Sequence, residues 1–539
     1  MALGLGNTSG MALGTLLSRV TGVGRDIALV AAIGTGVFSD TYSVANSLPN
    51  IIYILIAGGA INAVFIPALV RHMKEDADNG KVFTDRLLTL VGVILIAIVA
   101  IALSCAALIV HMYATSSWTG QDFHVAIVFA LWCIPQIIFY GIYALESQIL
   151  NARNVFKLPM FAPIANNVVV ITSALFFLAL THLTPTTQSV TSGQLTLLGA
   201  GTTLGVIVQA GILFPALRKS GYTFTPRFDF RNSGLGKLGD LAIWTIGFVF
   251  VNQVSFLIIS KLTTYANVVA VQNAQVAMGF TSYQKGQLMM MLPHSIITVS
   301  IITALLPRLS NHSQSKNLSA FAQELSIALR NVITYVIPCA AVLTFMGSQI
   351  GVILYGHGAA SHDQGAAVGY ISSMFAIGLP AFSIFYVLLR TYYAQENTKT
   401  PFMFNLGFNA LHMSIGLVLY FTVSDNYKVP SLALAYSIAY IFICAITWNR
   451  VTRRLPEIPT KALVQLVARV LVAVLLSGLV AWSAATHIFA GNSTADALKQ
   501  IALFTTILAI GYVSLAKIMR INEVTSVVSQ IMRRTSSKD

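Results

Sequence analysis

The chain has 539 residues, of which 56% are hydrophobic and only 9% charged, with a net charge of +14 and a mean hydropathy of +0.76. Soluble proteins carry about 25% charged residues, so this composition excludes a soluble globular enzyme and leaves a polytopic membrane protein. Cys105, Cys133, Cys339 and Cys444 all sit in apolar stretches without metal-ligand spacing, which sets aside a zinc site or a disulfide framework.

A membrane helix needs about 20 apolar residues. Segments of that kind run near 9–35, 40–70, 82–113, 122–150, 159–182, 192–219, 236–264 and 268–309, then near 318–347, 364–395, 401–423, 430–452, 461–486 and 497–519. The expectation is an all-α protein of about 14 transmembrane helices. The second and eighth segments are long enough to protrude or kink, at Pro49 and Pro67 in one and at Pro293 and Pro307 in the other. No basic stretch followed by a cleavage site opens the chain, so no removable signal peptide is expected.

Basic residues set the orientation. Of the 32 lysines and arginines, 23 fall in the loops after even-numbered segments and in the tail, among them Arg71, Lys74, Arg153, Arg227, Lys316 and Arg454. Loops after odd segments hold only Lys261, Lys428 and Lys499. Both termini are therefore expected in the cytoplasm. The positive charge is a topology signal and a weak attraction for anionic lipid heads, and it does not point to nucleic acid.

The chain also repeats itself. Leu48-Pro49 recurs as Leu292-Pro293, Phe65-Ile66-Pro67 as Leu305-Leu306-Pro307, and Lys157-Leu158-Pro159 as Lys399-Thr400-Pro401, all at offsets of 240–244 residues. A repeat of six spans keeps the same orientation in both copies, which predicts two six-helix lobes in parallel pseudo-twofold relation. The expected boundaries are 1–219 for the N-terminal lobe and 236–453 for the C-terminal lobe. Residues 461–519 form two additional helices, and 520–539 a basic cytoplasmic tail. Two lobes around a central cationic cavity make a transporter.

Chemistry concentrates where charge enters the membrane. Leu17-Ser18-Arg19-Val20-Thr21-Gly22-Val23-Gly24-Arg25-Asp26 lies inside the first apolar segment. A charge at the centre of a membrane helix costs about 2.5–3.5 kcal/mol or more, so such residues usually face a cavity. Arg19 and Asp26, seven residues apart, share a helical face, and Arg25 lies beside Asp26. Gly14, Gly22, Gly24, Gly34 and Gly36 are expected to weaken or break this helix. Cationic groups in a cavity point to an anionic ligand; the alternative is a structural helix whose charges pair with each other.

Further polar groups at membrane depth are Asp40, Asn46, Asn50 and Asn62, Glu146 and Asn151, and Lys285 with Gln287. Glu146, Arg390 and Glu396 are candidate gate residues. His294, beside Pro293, is expected to be a packed or interfacial residue and not a ligand. The chain has no phosphate-cradling loop followed by Lys-Ser/Thr, no Ser/His/Asp arrangement and no zinc spacing, so it is expected to be a transporter, with no catalytic residue and no nucleotide hydrolysis of its own.

Ser18-Arg19-Val20, Gly22, Arg25-Asp26, Asp40, Leu48-Pro49-Asn50, Ala57-Gly58-Gly59-Ala60 and Phe65-Ile66-Pro67 together resemble the amino-terminal signature of the MurJ/MviN lipid II flippases. Thr303-Ala304-Leu305-Leu306-Pro307-Arg308-Leu309-Ser310 and Asn397-Thr398-Lys399-Thr400-Pro401 are similar to later motifs of that family. The resemblance implies a bacterial inner-membrane protein of the multidrug/oligosaccharidyl-lipid/polysaccharide exporter superfamily. It would move the undecaprenyl-pyrophosphate-linked peptidoglycan precursor from the inner to the outer leaflet by alternating access. It also implies that Arg19 and Arg25 line the cavity, with Asp26, Asp40 and Asn50 at matching positions. The last two helices would form a groove for the lipid tail. Membrane lipids and cell-wall synthesis or division proteins are the implied partners. The likeness departs at Ile51-Ile52-Tyr53 and Gly58, where many members carry arginine and glutamate, and on segment eight, where the nearest cation is Lys285. Lys285 is then the substitute, a point charge without the bidentate fork of arginine.

No cofactor is expected, with coupling to Na⁺ or H⁺ left open. The competing readings are an ion-coupled exporter of other lipid-linked polysaccharides or drugs of the same superfamily, and a membrane scaffold that recruits cell-wall enzymes.

Overall fold

The computed structural model describes residues 5–55, 72, 75–181, 184–229 and 239–526, and among these the chain is helical throughout, with no strand. Twelve of the described helices are long and apolar enough to cross a membrane, from Lys81–Ser104 to Thr494–Ile518. They coincide with the third to fourteenth segments read from the sequence. The first segment forms α1 (Leu5–Ile33) and the second begins as α2 (Val37–Tyr53). Ala57-Gly58-Gly59-Ala60, Asn62, Phe65-Ile66-Pro67, Arg71, Lys74, Arg231, Lys237 and the tail beyond 526 lie outside the described residues.

Two compact units emerge. The first comprises Met1–Gln272 with Gly279–Thr281 and Gly358–Ala360; the second comprises Asn273–Met278, Ser282–His357 and Ser361–Asp539. The boundary differs from the expected one after residue 219, because helix 239–272 joins the first unit. A polar stripe on that helix supplies the reason. Ser260 donates to the Tyr113 carbonyl at 2.7 Å, Thr264 accepts from the Thr115 amide at 3.1 Å, and Asn267 donates to Asp40 at 2.7 Å. Spacings of four and seven put these residues on one helical face, and buried polar groups in an apolar surround seek such partners.

In the first unit α3 (Lys81–Ser104), α4 (Ala106–Tyr113), α5 (Gly120–Cys133), α6 (Gln136–Ala152), α7 (Lys157–Leu180), α8 (Ser192–Gly211), α9 (Leu213–Lys219) and α10 (Gly239–Gln272) follow α2. Here α1 lies along α7, α7 along α8, and α2 against α5. The core is aromatic at its centre. Phe38 sits 5.9 Å from Phe129 and 6.1 Å from Phe177, and the Tyr42 hydroxyl shares a 2.8 Å hydrogen bond with Thr202. A second cluster gathers Phe83, Leu87, Leu145, Leu217 and Tyr222. Asp85 ties this end together, accepting from the Tyr222 hydroxyl at 2.6 Å, from Lys81 at 3.0 Å and from the Thr225 hydroxyl at 3.0 Å.

The second unit contains α11 (Phe280–Pro293, from residue 282 onward), α12 (Val299–Gln314), α13 (Leu318–Tyr355), α14 (His362–Tyr393), α15 (Lys399–Thr422), α16 (Lys428–Arg454), α17 (Thr460–Ile488) and α18 (Thr494–Ile518). The kink expected at Pro293 takes the form of a π-helical turn, His294–Thr298, while Pro307 lies inside an unbroken α12. A Pro lacks the amide that would continue the ladder, and a wider turn absorbs that loss. His294 is buried there as expected, 2.9 Å from the Ser383 hydroxyl and against the rings of Phe382 and Tyr386.

α13 and α14 approach so closely that only glycine fits between them. A Cβ on Gly369 would lie 1.9 Å from the Gly347 carbonyl oxygen, and one on Gly351 2.3 Å from that of Gly365. Small residues at such contacts let two backbones meet, which is how apolar helices associate where no hydrophobic force separates protein from lipid. Gly369→Ala is therefore expected to reduce the amount of monodisperse protein extracted from membranes, read by fluorescence-detected size exclusion, whereas Gly92→Ala, which meets nothing within 4 Å, should not. α17 and α18 dock on α13, with the Tyr512 hydroxyl on the Thr334 carbonyl at 3.0 Å and Gln349 on Gln500 at 2.9 Å.

Candidate functional site

The site is built on α1, which runs as one continuous helix from Leu5 to Ile33. Gly14, Gly22 and Gly24 do not break it, for a packing reason, whereas Gly34, left-handed at φ +69°, follows its last residue and ends it as expected. Gly14, Gly22 and Gly24 face α7, and a Cβ on Gly14 would come 2.7 Å from the Phe161 ring, with Asn167 beyond Gly22 and Ile171 beyond Gly24. Close approach to α7 supplies the contacts that offset poor helix propensity.

That approach brings Asn167 into the charged turn. Its amide donates to the Ser18 carbonyl at 3.1 Å and to the Thr21 hydroxyl at 2.9 Å, and its oxygen accepts from Arg25 Nη1 at 3.3 Å. Arg25 Nη2 also stands 3.6 Å from the Asp26 carboxylate. Asp26 is buried, while the Arg25 side chain keeps 34% of its surface exposed. The guanidinium is thus aimed by two partners and still has donors to offer. Arg19, two turns earlier and half-buried, makes no hydrogen bond or ion pair among the described residues. Two arginines on one helix, one oriented and one without a partner among the described residues, are groups whose chemistry suits a multiply charged anion.

Asp40 has a different environment. It is fully buried, and its carboxylate accepts from Asn267 Nδ2 at 2.7 Å and from the backbone amides of Phe280 at 3.1 Å and Thr281 at 2.8 Å. Those two amides open α11, so Asp40 sits at the positive end of a helix dipole. Next to it the Thr281 hydroxyl donates to Ser43 at 2.9 Å. Both oxygens are taken up in holding segments of the first unit together.

A family model described as lipid II flippase MurJ matches residues 29–501 of the chain. The chain belongs to the MurJ lipid II flippase family. It is 25% identical over 511 residues to the lipid II flippase MurJ of Burkholderia cenocepacia, covering 92% of this chain and 93% of that one. A solved lipid II flippase MurJ in an inward closed conformation is similar in fold, with a TM-score of 0.72 at 21% identity over 94% of this chain and 98% of the other. An inward-facing multidrug resistance transporter of the MATE family, in the MOP superfamily, shares the fold at a TM-score of 0.63 and 10% identity, over 82% of this chain and 96% of that one.

The other candidate residues of this MurJ-family chain are spread more widely. Asn50 is exposed near the end of α2. Lys285 is half-buried on the flank of α11 with Gln284 and Gln287, while Tyr283 and Met290 are buried. Of the candidate gate residues, Arg390 and Glu396 form no ion pair with each other among the described residues. Arg390 lies over the rings of Tyr386 at 4.2 Å and Tyr393 at 5.3 Å, and exposed Glu396 occupies a left-handed turn at φ +57° after the helix end. Glu146 is buried in the first unit, away from the α1 cluster, in a cavity of its own. Sequence reading missed Asn167 and Asn267. The signal for the first was present, since Asn166-Asn167 interrupts a segment that is otherwise nearly all apolar.

Asn167→Ala is expected to lower activity by roughly tenfold or more without abolishing it. Arg25 would keep its charge and its Asp26 neighbour and lose one positioning bond, worth about 1.5–3 kcal/mol when charge-assisted. A dose-response complementation assay with matched expression reads the difference.

Proposed function

We propose that this chain moves the lipid-linked peptidoglycan precursor lipid II across the bacterial inner membrane, from the inner to the outer leaflet, by alternating access and without hydrolysing a nucleotide. The observation that supports this most is the α1 cluster, with Arg25 oriented by Asn167 and Asp26 and Arg19 unengaged, in a chain of the MurJ family. A pyrophosphate esterified at both ends is a dianion with two non-bridging oxygens on each phosphorus, which the fork of a guanidinium matches well. Such cations lower the cost of stripping water from it at membrane depth. Moving negative charge outward across an inside-negative membrane is downhill by about 2.3 kcal/mol per net charge per 100 mV, so a potential suffices as a drive. The likeness to a MATE transporter at 10% identity concerns fold and supports no second substrate class.

In this reading both termini are cytoplasmic, α17 and α18 offer the undecaprenyl tail an apolar surface, and Lys285 adds a further cation on charge grounds. Val464, Leu476, Leu479 and Val480 on α17 are all exposed, as a lipid-bearing face requires. Lys285→Gln is expected to reduce translocation at both low and high membrane potential while the protein stays at its normal level in the membrane; unchanged activity would assign the lysine to an interfacial anchor. The experiment that tests the function itself is depletion in a conditional strain. The precursor should accumulate on the cytoplasmic leaflet, as read by a leaflet-selective enzyme probe, and re-expression should clear it. Normal leaflet distribution after depletion would overturn the reading.

A further inference from the structure

A cavity of about 350 Å³ opens in the first unit between α3, α6, α9 and the segment 222–229. Its walls are apolar, including Leu88, Ile96, Ile142, Phe214 and Phe224. Several of these are exposed at its mouth, Ile96 by 58% and Phe214 by 46%, so the cavity opens onto lipid. Glu146 is the one ionisable residue in the lining. It is 5% exposed, and its Oε2 atom is buried with no hydrogen-bond partner.

Neighbouring groups do not supply what Glu146 lacks. Thr89, the other polar residue of the lining, is used up, its hydroxyl donating to the Asp85 carbonyl at 2.7 Å and accepting from the Arg227 amide at 2.9 Å. Lys81 is held by Asp85, Arg86 by Asp229, and Arg153 donates to the Ser220 carbonyl at 2.7 Å. An ionised carboxylate in an apolar pocket is strongly disfavoured unless a cation meets it there, and among the described residues no ion pair joins Glu146 to one.

We infer that this cavity is a binding site for a lipophilic amine, with the ammonium on Glu146 and an aryl or alkyl body against the wall of Leu88, Ile96 and Phe214. Its volume lies at the lower end of the range of about 300–1,000 Å³ typical of ligand pockets, which suits one ring and a short chain. An apolar cation partitions into the membrane and reaches the mouth laterally. A neutral molecule of the same shape fills the same walls and leaves the carboxylate unmatched, so charge sets the preference. The site lies apart from the α1 cluster, and its occupancy does not depend on which lipid the protein moves.

The test uses the purified full chain in a neutral maltoside detergent, titrated with 4-phenylbutylamine and with 4-phenylbutanol as the neutral isostere, and read by thermal unfolding. For the natural sequence the amine should raise the midpoint with an apparent affinity at least about tenfold better than the alcohol. Glu146→Gln should remove that preference, bringing the two probes to within about twofold of each other. Ile96→Trp, which fills the mouth from an exposed position, should abolish the response to both and serves as the second variant where Glu146→Gln yields no folded protein. Equal responses to amine and alcohol in the natural sequence would overturn the inference. So would an amine response that survives Ile96→Trp or keeps its preference in Glu146→Gln.

Discussion

Arg25→Ala is expected to abolish complementation of a strain depleted of its own flippase, with the protein present in the membrane at its normal level. Arg25 is held by Asn167 Oδ1 at 3.3 Å and stands 3.6 Å from Asp26, and a third of its side chain remains exposed for a ligand. Each charge-assisted contact to a phosphate is worth about 1.5–3 kcal/mol, so losing two in the bound state corresponds to roughly a hundredfold or more in affinity. Removal also leaves Asp26 buried without the cation beside it, which adds a cost to folding. The membrane level of the variant separates the two effects. Normal level with no complementation places Arg25 in substrate handling, and disappearance from the membrane makes Arg25–Asp26 a structural pair. Arg25→Lys should fail as well, because an ammonium cannot engage Asn167 and a phosphate in the same plane.

Asp40 is expected to behave in the opposite way: Asp40→Ala should lose the protein before it loses the chemistry. Three donors converge on that carboxylate, from Asn267, Phe280 and Thr281, in a fully buried setting. Stranding a buried donor costs about 1–3 kcal/mol, so with three donors the alanine variant should be destabilised by roughly 3–9 kcal/mol, a large fraction of the stability of an ordinary domain. Asp40→Asn keeps the shape and one accepting oxygen but turns an NH₂ toward backbone amides, so it should be destabilised too, by less than alanine. A fall in the unfolding midpoint together with reduced membrane level is the expected result. A stable, normally expressed Asp40→Asn protein that cannot translocate would place this carboxylate in the transport path.

These two predictions separate residues that look alike in the sequence. Arg25 and Asp40 are both charged residues at membrane depth, both in the amino-terminal signature, and both read as substrate-facing. The difference lies in partners more than 140 residues away along the chain, Asn167 in one case and Asn267 with Thr281 in the other. Glu146 and Arg390 divide similarly: one is buried without a partner for Oε2 and lines an apolar cavity, while the other rests on two tyrosine rings.

Composition and hydropathy alone determined that this is a helical membrane protein, because lipid forces every spanning backbone to satisfy its own hydrogen bonds and twenty apolar residues are a local property. The twelve spans from Lys81 to Ile518 were therefore legible segment by segment. So was the concentration of charge on α1, since its cost at membrane depth does not depend on where the rest of the chain goes. Tertiary structure alone decided how that cost is met. It decided that Gly14 and Gly22 close α1 against α7 instead of breaking it, that helix 239–272 joins the first unit through Ser260, Thr264 and Asn267, and that Asp40 receives two helix-opening amides while Arg25 keeps donors free. Each of these depends on which distant backbone comes within about 3 Å, and hydrogen bonds of that length carry no trace in local periodicity.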